Sequence, residues 1–314
     1  MIRTIGVVGA GTMGHGIAEA FALGGFDVRL QDPSAAVLAA AKPLIREELD
    51  LLVEEAYVDA AAAAAALDRI VPVADLSEAV ASCDFVIEAA PETLELKQTL
   101  FAELDAICRP DAVLASNTSS LPLDGMTARL GPERRRRIMV THWYNPAHLM
   151  PIVELSFFGN MPDEIYAEVE ALHRAIGKQT VKVLKDVPGL VANRIQQGVA
   201  REVFSIIEQG IAAPEDVDRA LKFGPAFRYA TTGQLEVADF GGLDIWCVVG
   251  DNLLAVMDDS RRANEMLRAK VREGKLGLKS GEGFFTYPPD RVAAIRKQFM
   301  RKLVHQLKAS AFYA

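Results

Sequence analysis

Up to about Val183 the chain alternates short apolar, β-branched runs with segments of helical periodicity. Thr4 to Val8, Asp27 to Leu30, Ile70 to Val73, Phe85 to Glu88, Val113 to Ala115 and Arg137 to Thr141 read as strands, and Ile152 to Phe158 is a further apolar run. Between them Ile17 to Leu23, Leu94 to Ile107 and the amphipathic Glu164 to Ile176 read as helices. Pro33 to Asp68 is helical in composition, but its Ala60 to Ala66 run brings good propensity and little packing volume, so a helical excursion rather than a core element is expected there. Such alternation predicts a mostly parallel, doubly wound α/β sheet. Lys185-Asp186-Val187-Pro188-Gly189 then forms a turn, and beyond it only helical periodicity remains: Leu190 to Gln209, Pro214 to Phe223, Leu243 to Met257 and Val292 to Leu307. The expected organisation is an α/β domain over residues 1–184 and a smaller all-α domain over 185–314.

Composition narrows the class. A chain of 314 residues that is 50% hydrophobic can fill two domain cores. No apolar run approaches the roughly 18 residues of a membrane span, and the N-terminus enters a strand without a signal-peptide pattern, so a cytoplasmic protein is expected. Cys83, Cys108 and Cys247 are widely spaced, which suggests reduced core residues rather than a disulfide framework or thiolate metal site. A net charge of −8 argues against nucleic-acid or anionic-membrane partners and leaves a small molecule. The one dense basic run, Arg134 to Arg137, reads as a solvated turn before a strand, His15 as a helix-start residue and His173 as a solvated helix residue.

Candidate chemistry gathers at the strand ends. After the first strand comes Gly9-Ala10-Gly11-Thr12-Met13-Gly14, a G-x-G-x-x-G loop opening a helix. Gly9 permits the tight turn, Gly11 lets backbone approach a pyrophosphate, and Gly14 lets helix and strand pack closely. Asp32, at the end of the second strand, stands where an acidic side chain accepts from ribose hydroxyls and repels a 2′-phosphate, so NAD is preferred over NADP. Further along, Glu92 and the Ser116-Asn117-Thr118-Ser119-Ser120 segment also follow strands, the ligand-facing position in doubly wound sheets. His142 ends another strand, and Glu154 lies inside an apolar run where an unpaired carboxylate carries a heavy desolvation cost. Paired, the carboxylate would fix the imidazole's tautomer and raise its basicity, as a general base requires; on this stretch alone two structural polar residues account for the pattern equally well. The spacing of His142, His148 and Glu154 fits no recurring metal motif, so no metal is expected.

Together, Gly9 to Gly14, Asp32, Pro91-Glu92 with Lys97, SNTSS at 116–120, HWYNP at 142–146, Glu154, KDVPGLVANR at 185–194 and GLKSGEGFF at 277–285 resemble the 3-hydroxyacyl-CoA dehydrogenase family, in order and over nearly the whole chain. The resemblance implies a Rossmann domain that binds NAD, a helical substrate and dimerisation domain, chemistry in the cleft between them, and a homodimer. It implies His142 as general base, Glu154 as its orienting partner, and Ser119 and Asn193 as groups holding the substrate oxygen while hydride passes to the nicotinamide. Glu92, Lys97, Asn145 and Lys279 are implied near NAD, and Asn117, in the ligand-facing segment, joins them. A non-catalytic NAD-binding protein would leave His142 and Glu154 unexplained.

The sequence departs from acyl-CoA members at Trp143-Tyr144 and at Phe223 to Ala230, which look more like relatives that oxidise free hydroxy acids, such as gulonate or carnitine dehydrogenases. The HW-x-NP-x-H pattern is similar also to relatives acting on pyridine carboxylates. Lys42 to Asp59 sets Lys42 and Arg46 against Glu47, Glu48, Asp50, Glu54, Glu55 and Asp59, a face expected to repel the nucleotide end of an acyl-CoA. The expected substrate is therefore a small free carboxylate, with Arg228 as its bidentate partner; a 3-hydroxyacyl-CoA and a pyridine carboxylate are the alternatives.

Overall fold

The computed structural model describes residues 2–312. Two compact units emerge, one running to Val191 and including Arg301–Lys308, the other covering Ala192–Met300 and residues 309–312.

The first unit holds strands β1 (Thr4–Val8), β2 (Asp27–Gln31), β3 (Ile70–Val73), β4 (Phe85–Glu88), β5 (Val113–Ser116), β6 (Ile138–Trp143), β7 (Ile152–Ser156) and β8 (Gln179–Val183). They form one sheet in the order β3-β2-β1-β4-β5-β6-β7-β8. Its central strands read as continuous apolar runs because helices cover both faces. All neighbours pair in parallel except β6 and β7, which run antiparallel. That reversal puts His142 directly opposite Glu154, whereas parallel strand order brings the C-terminal ends of β1, β4, β5 and β6 to one edge. The change of direction between β1 and β4 is where ligands bind in such sheets.

The helices of this unit are α1 (Gly14–Leu23), α2 (Ala35–Glu54), α3 (Ala60–Arg69), α4 (Leu76–Val80), α5 (Leu94–Ile107), α6 (Leu123–Met126), α7 (Pro132–Arg135) and α8 (Asp163–Ala175). Ser34, Asp59 and Asp75 cap α2, α3 and α4 by accepting from the backbone N–H three residues on, which satisfies one orphan donor in each first turn. The α2–α3 segment is more than an excursion. Ala41, Ile45, Leu49 and Leu52 recur on one face of α2 and are buried, as are Ala63, Ala66 and Leu67 of α3, and both helices pack on α1. The small alanine side chains permit that close approach.

Two further expectations are corrected. His173 is fully buried rather than solvated, its ring 5.8 Å from Phe21, 5.9 Å from Phe85 and 5.5 Å from Trp143. Burial holds its pKa down at about 4. The signal was present: Tyr166, Val169, Leu172 and His173 share the buried stripe of α8. Within the basic run Arg134 is buried, donating to Asp105 at 2.6 Å and to the carbonyls of Cys108, Arg109 and Ala112.

The second unit contains α9 (Ala192–Glu208), α10 (Pro214–Phe223), α11 (Pro225–Tyr229), α12 (Gln234–Gly241), α13 (Leu243–Leu254), α14 (Glu265–Arg272) and the start of α15 (Val292–Ser310). Phe204 stacks on Phe284 at 5.6 Å, and the Lys270 ammonium covers the same ring at 5.1 Å. Cys247 is exposed, unlike the buried Cys83 and Cys108, and all three are free thiols. Among the described residues no helix is long and apolar enough to cross a membrane.

Candidate active site

The glycine loop has the geometry that its residues suggest. Gly9 takes φ +100°, and a Cβ there would stand 2.8 Å from the Ala89 carbonyl oxygen. At Gly14 a Cβ would meet the Gly9 carbonyl oxygen at 1.7 Å, so only glycine lets α1 begin this close to β1. At Gly11 the same construction meets nothing within 4 Å, which leaves room for a ligand against the backbone. Thr12 and Met13 complete the turn, and the first turn of α1 has neither a side-chain cap nor an acidic residue, so its orphan N–H groups and positive potential face outward. Asp32 accepts from the N–H groups of Ala10 at 3.0 Å and Ser34 at 2.9 Å, which aims its carboxylate across the loop. These features fit a dinucleotide.

Beside the loop, a buried ionic network shapes the ends of β4 and β5. Lys97, 1% exposed, donates to both Glu88 oxygens at 2.9 and 3.0 Å and pairs with Glu92 at 3.1 Å. Ser116 Oγ donates to Glu88 at 2.6 Å. Glu92 gathers the SNTSS loop, accepting from the Thr118 and Ser120 hydroxyls and from the N–H groups of Ser119 and Ser120. Burial would raise its pKa, but the Thr118 bond, the Lys97 ammonium and the Ser119 N–H together bring it down to about 2. Glu92 and Lys97 thus hold the loop that carries Ser119. Asn117 accepts from the Trp143 N–H at 2.8 Å and so fastens the same loop to β6, and Asn145 is exposed beyond that strand.

At the centre, His142 Nδ1 lies 2.7 Å from Glu154 Oε2, and Ser119 Oγ lies 3.0 Å from His142 Nε2. A carboxylate only accepts, so Nδ1 carries the proton and Nε2 presents its lone pair to the Ser119 hydroxyl. Glu154 is completely buried, and its other oxygen accepts from the Val191 N–H at 2.8 Å. That bond ties the KDVPGLV turn to the pair, and the same turn meets Ser119 through a Gly189 N–H bond to its carbonyl at 3.1 Å. Val191 escaped the sequence reading because a backbone donor leaves no side-chain signal. The Tyr144 ring stands edge-on to His142 at 5.3 Å; burial and the Glu154 charge push its phenol up to about 12.

His15 proves to be more than a helix-start residue. Its Nδ1 lies 2.7 Å from the Gly11 carbonyl oxygen and its Nε2 3.3 Å from Glu48. Glu19 and His148 pack into the same buried group, where burial holds Glu19 well above the ordinary carboxylate range and His148 down at about 4. Asn193, Arg228 and Lys279 belong to the second unit, Arg228 and Lys279 both exposed, Arg228 on α11.

Comparison with known proteins decides the family. The model of the 3-hydroxyacyl-CoA dehydrogenase NAD-binding domain matches residues 4–187, and that of the C-terminal domain matches 189–287. The chain belongs to the 3-hydroxyacyl-CoA dehydrogenase family. It is an NAD-dependent oxidoreductase acting at CH–OH donors. Within the family it is 34% identical to the 5-formyl-3-hydroxy-2-methylpyridine 4-carboxylate 5-dehydrogenase of Mesorhizobium japonicum, over 97% of each chain. A solved structure of an enzyme of that name, an NAD+-dependent dismutase, superposes with a TM-score of 0.91 at 31% identity, covering 99% of both chains. The (S)-3-hydroxybutyryl-CoA dehydrogenase of Ralstonia eutropha superposes with a TM-score of 0.73 at 35% identity, covering 92% of this chain and all of that one.

Proposed function

We propose that the chain moves hydride between NAD and the oxygen-bearing carbon of a small free carboxylate, with a pyridine carboxylate as first candidate and an aliphatic 3-hydroxy acid as second. The observation that carries the chemistry is the line Ser119–His142–Glu154 at the strand ends beside the dinucleotide loop. His142 Nε2 is the general base: it takes the hydroxyl proton as the substrate's C–H bond breaks, and Glu154 stabilises the imidazolium that forms. Ser119 holds the reacting oxygen, and Asn193 is a further candidate for that role. An aldehyde substrate would react as its hydrate, whose hydroxyl offers the same proton. Bound NAD supplies the hydride-accepting nicotinamide; the residues from Gly9 to Gly14 would hold its pyrophosphate and Asp32 its ribose, with Glu92, Lys97, Asn117, Asn145 and Lys279 further candidates around it.

The preference for a free acid rests on the full-length match to the pyridine-carboxylate enzyme, and on Arg228, a guanidinium suited to bidentate contact with a carboxylate. The acidity of Lys42 to Asp59 lends less support than its charge count suggests. Glu48 faces His15, Glu54 pairs with Arg301, and Glu55 pairs with Arg301 and His305 while its carbonyl accepts from Lys308. The test is kcat/KM for 5-formyl-3-hydroxy-2-methylpyridine 4-carboxylate and a panel of 3-hydroxy acids with NAD, beside acetoacetyl-CoA with NADH. A free acid should lead; turnover of the CoA ester at about 10⁴ M⁻¹s⁻¹ or above, with no acid near it, would reverse the assignment.

A homodimer belongs to the same proposal. Phe223, Phe227, Leu235, Phe240 and Leu243 of the second unit are each at least 60% exposed, large apolar side chains that a partner subunit would take out of water. Light scattering should give twice the 34.1 kDa chain mass, and a monomer at micromolar concentration would contradict it.

A further inference from the structure

We infer that the buried group of His15, Glu19, Glu48 and His148 is a binding site for a first-row divalent cation. His15 and Glu19 lie one turn apart on α1, Glu48 is on α2, and His148 is in the turn after β6. One ligand atom each from Glu19, Glu48 and His148 lies within 4.8 Å of the others. His148 Nδ1 is 4.0 Å from Glu19 Oε2 and 3.8 Å from Glu48 Oε1. Those separations are too long for hydrogen bonds and close to the spacing of two ligands on one ion. With zinc at about 2.1 Å from each ligand, tetrahedral ligands stand roughly 3.4 Å apart, so a contraction of a few tenths of an ångström seats the ion.

The second observation is a set of orphaned atoms. Glu19 is completely buried and neither of its oxygens has a hydrogen-bond partner among the described residues; the same holds for Glu48 Oε2 and His148 Nδ1. Buried polar atoms in folded proteins rarely go unpaired, and these face one another. A proton on Glu19 could link it to Glu48 but would leave His148 Nδ1 bare, whereas an ion satisfies both carboxylates and the imidazole together.

His15 adds a detail found around bound metals. The Gly11 carbonyl can only accept, so His15 Nδ1 carries a proton toward it, while Nε2, 3.3 Å from the Glu48 carboxylate, donates to Glu48 when the ring is protonated and offers its lone pair only once that proton is displaced by an ion. A ligating histidine typically gives its other N–H to such a carbonyl. Gly16 makes room for the second imidazole, since a Cβ there would stand 3.3 Å from His148 Nδ1. The nearby charge, Lys178, is held elsewhere: its ammonium donates to the carbonyls of Ala147 at 2.7 Å and Met150 at 2.8 Å and lies over the Trp143 ring. It fixes the turn that presents His148. Two carboxylates with one or two imidazoles suit Zn²⁺ or Mn²⁺. Such an ion would tie the helix behind the glycine loop to the turn that follows HWYNP.

The experiment takes the full-length protein through chelator, then equilibrium dialysis against Zn²⁺ or Mn²⁺, with metal content by mass spectrometry and Tm by calorimetry. One ion per chain is expected in wild type and in His142→Gln, with a Tm that rises with the metal; Glu19→Gln and His148→Ala should lose both effects. A wild-type protein that retains neither ion at stoichiometry, the result if Glu19 and Glu48 share only a proton, overturns the inference. So does a folded Glu19→Gln protein that still holds one. If those substitutions unfold the chain, His148→Cys with Co²⁺ decides: a thiolate-to-cobalt charge-transfer band supports the site, and its absence from the cobalt-treated folded protein contradicts it.

Discussion

His142 owes its state to two neighbours, Glu154 across the β6–β7 ladder and Ser119 at the end of β5. The first was legible in the sequence because an unpaired carboxylate in an apolar run is costly and His142 was the nearest candidate to answer it. The second was legible only as a ligand-facing hydroxyl. The burial of His15, His148 and His173 was not legible, since a neutral imidazole packs as an aromatic and a lone histidine in a sequence does not announce its burial. Asp32 carries two demands on one side chain: its carboxylate accepts from the Ala10 and Ser34 N–H groups, and the proposed ribose contact falls on the same group. Asp32→Ala with Pro33→Arg should therefore shift the NADP/NAD ratio of kcat/KM upward by about tenfold or more while also loosening the glycine loop. An unchanged ratio would remove Asp32 from the ribose.

Among the elements, hydrophobic period located all the strands of the first unit except β8, and most of the helices, but it could not order the strands or show that β7 runs against β6. Strand order depends on contacts between residues far apart in sequence, which local pattern does not encode. The alanine-rich segment misled for a related reason: Ala63 and Ala66 offer little volume but let α3 lie close on α1, and close approach is invisible in a hydropathy pattern. Gly14 makes the same point at the start of α1. Gly14→Ala should destabilise the first unit by about 1–3 kcal/mol, the usual range for overpacking, and weaken NAD binding, because a Cβ 1.7 Å from the Gly9 carbonyl oxygen must push the helix away from β1. Chemical denaturation with NAD titration by fluorescence checks both; unaltered values would mean that the loop yields without cost.

For the whole molecule, burial of neutral histidine makes stability depend on pH. His173 has a folded pKa of about 4 against an ordinary 6.5, so its contribution is fully present above pH 6.5 and falls away as the pH drops toward 4. Over that window it amounts to about 3 kcal/mol. His173→Phe keeps the ring among Phe21, Phe85 and Trp143, and its unfolding free energy should decline less steeply between pH 6.5 and 4 than that of wild type; parallel curves would show that His173 does not titrate there. Membership of the family and the presence of two units were readable from ordered motifs and a change of periodicity, whereas the substrate was not, because the proposed carboxylate anchor, Arg228, is one exposed residue among many. Catalysis rests most directly on His142. Replacing it with glutamine should lower kcat for the best substrate by about 10²–10⁴ while NAD affinity, measured by fluorescence titration of the same preparation, stays at the wild-type value. A kcat within a factor of two of wild type would contradict the assignment of His142 as the base.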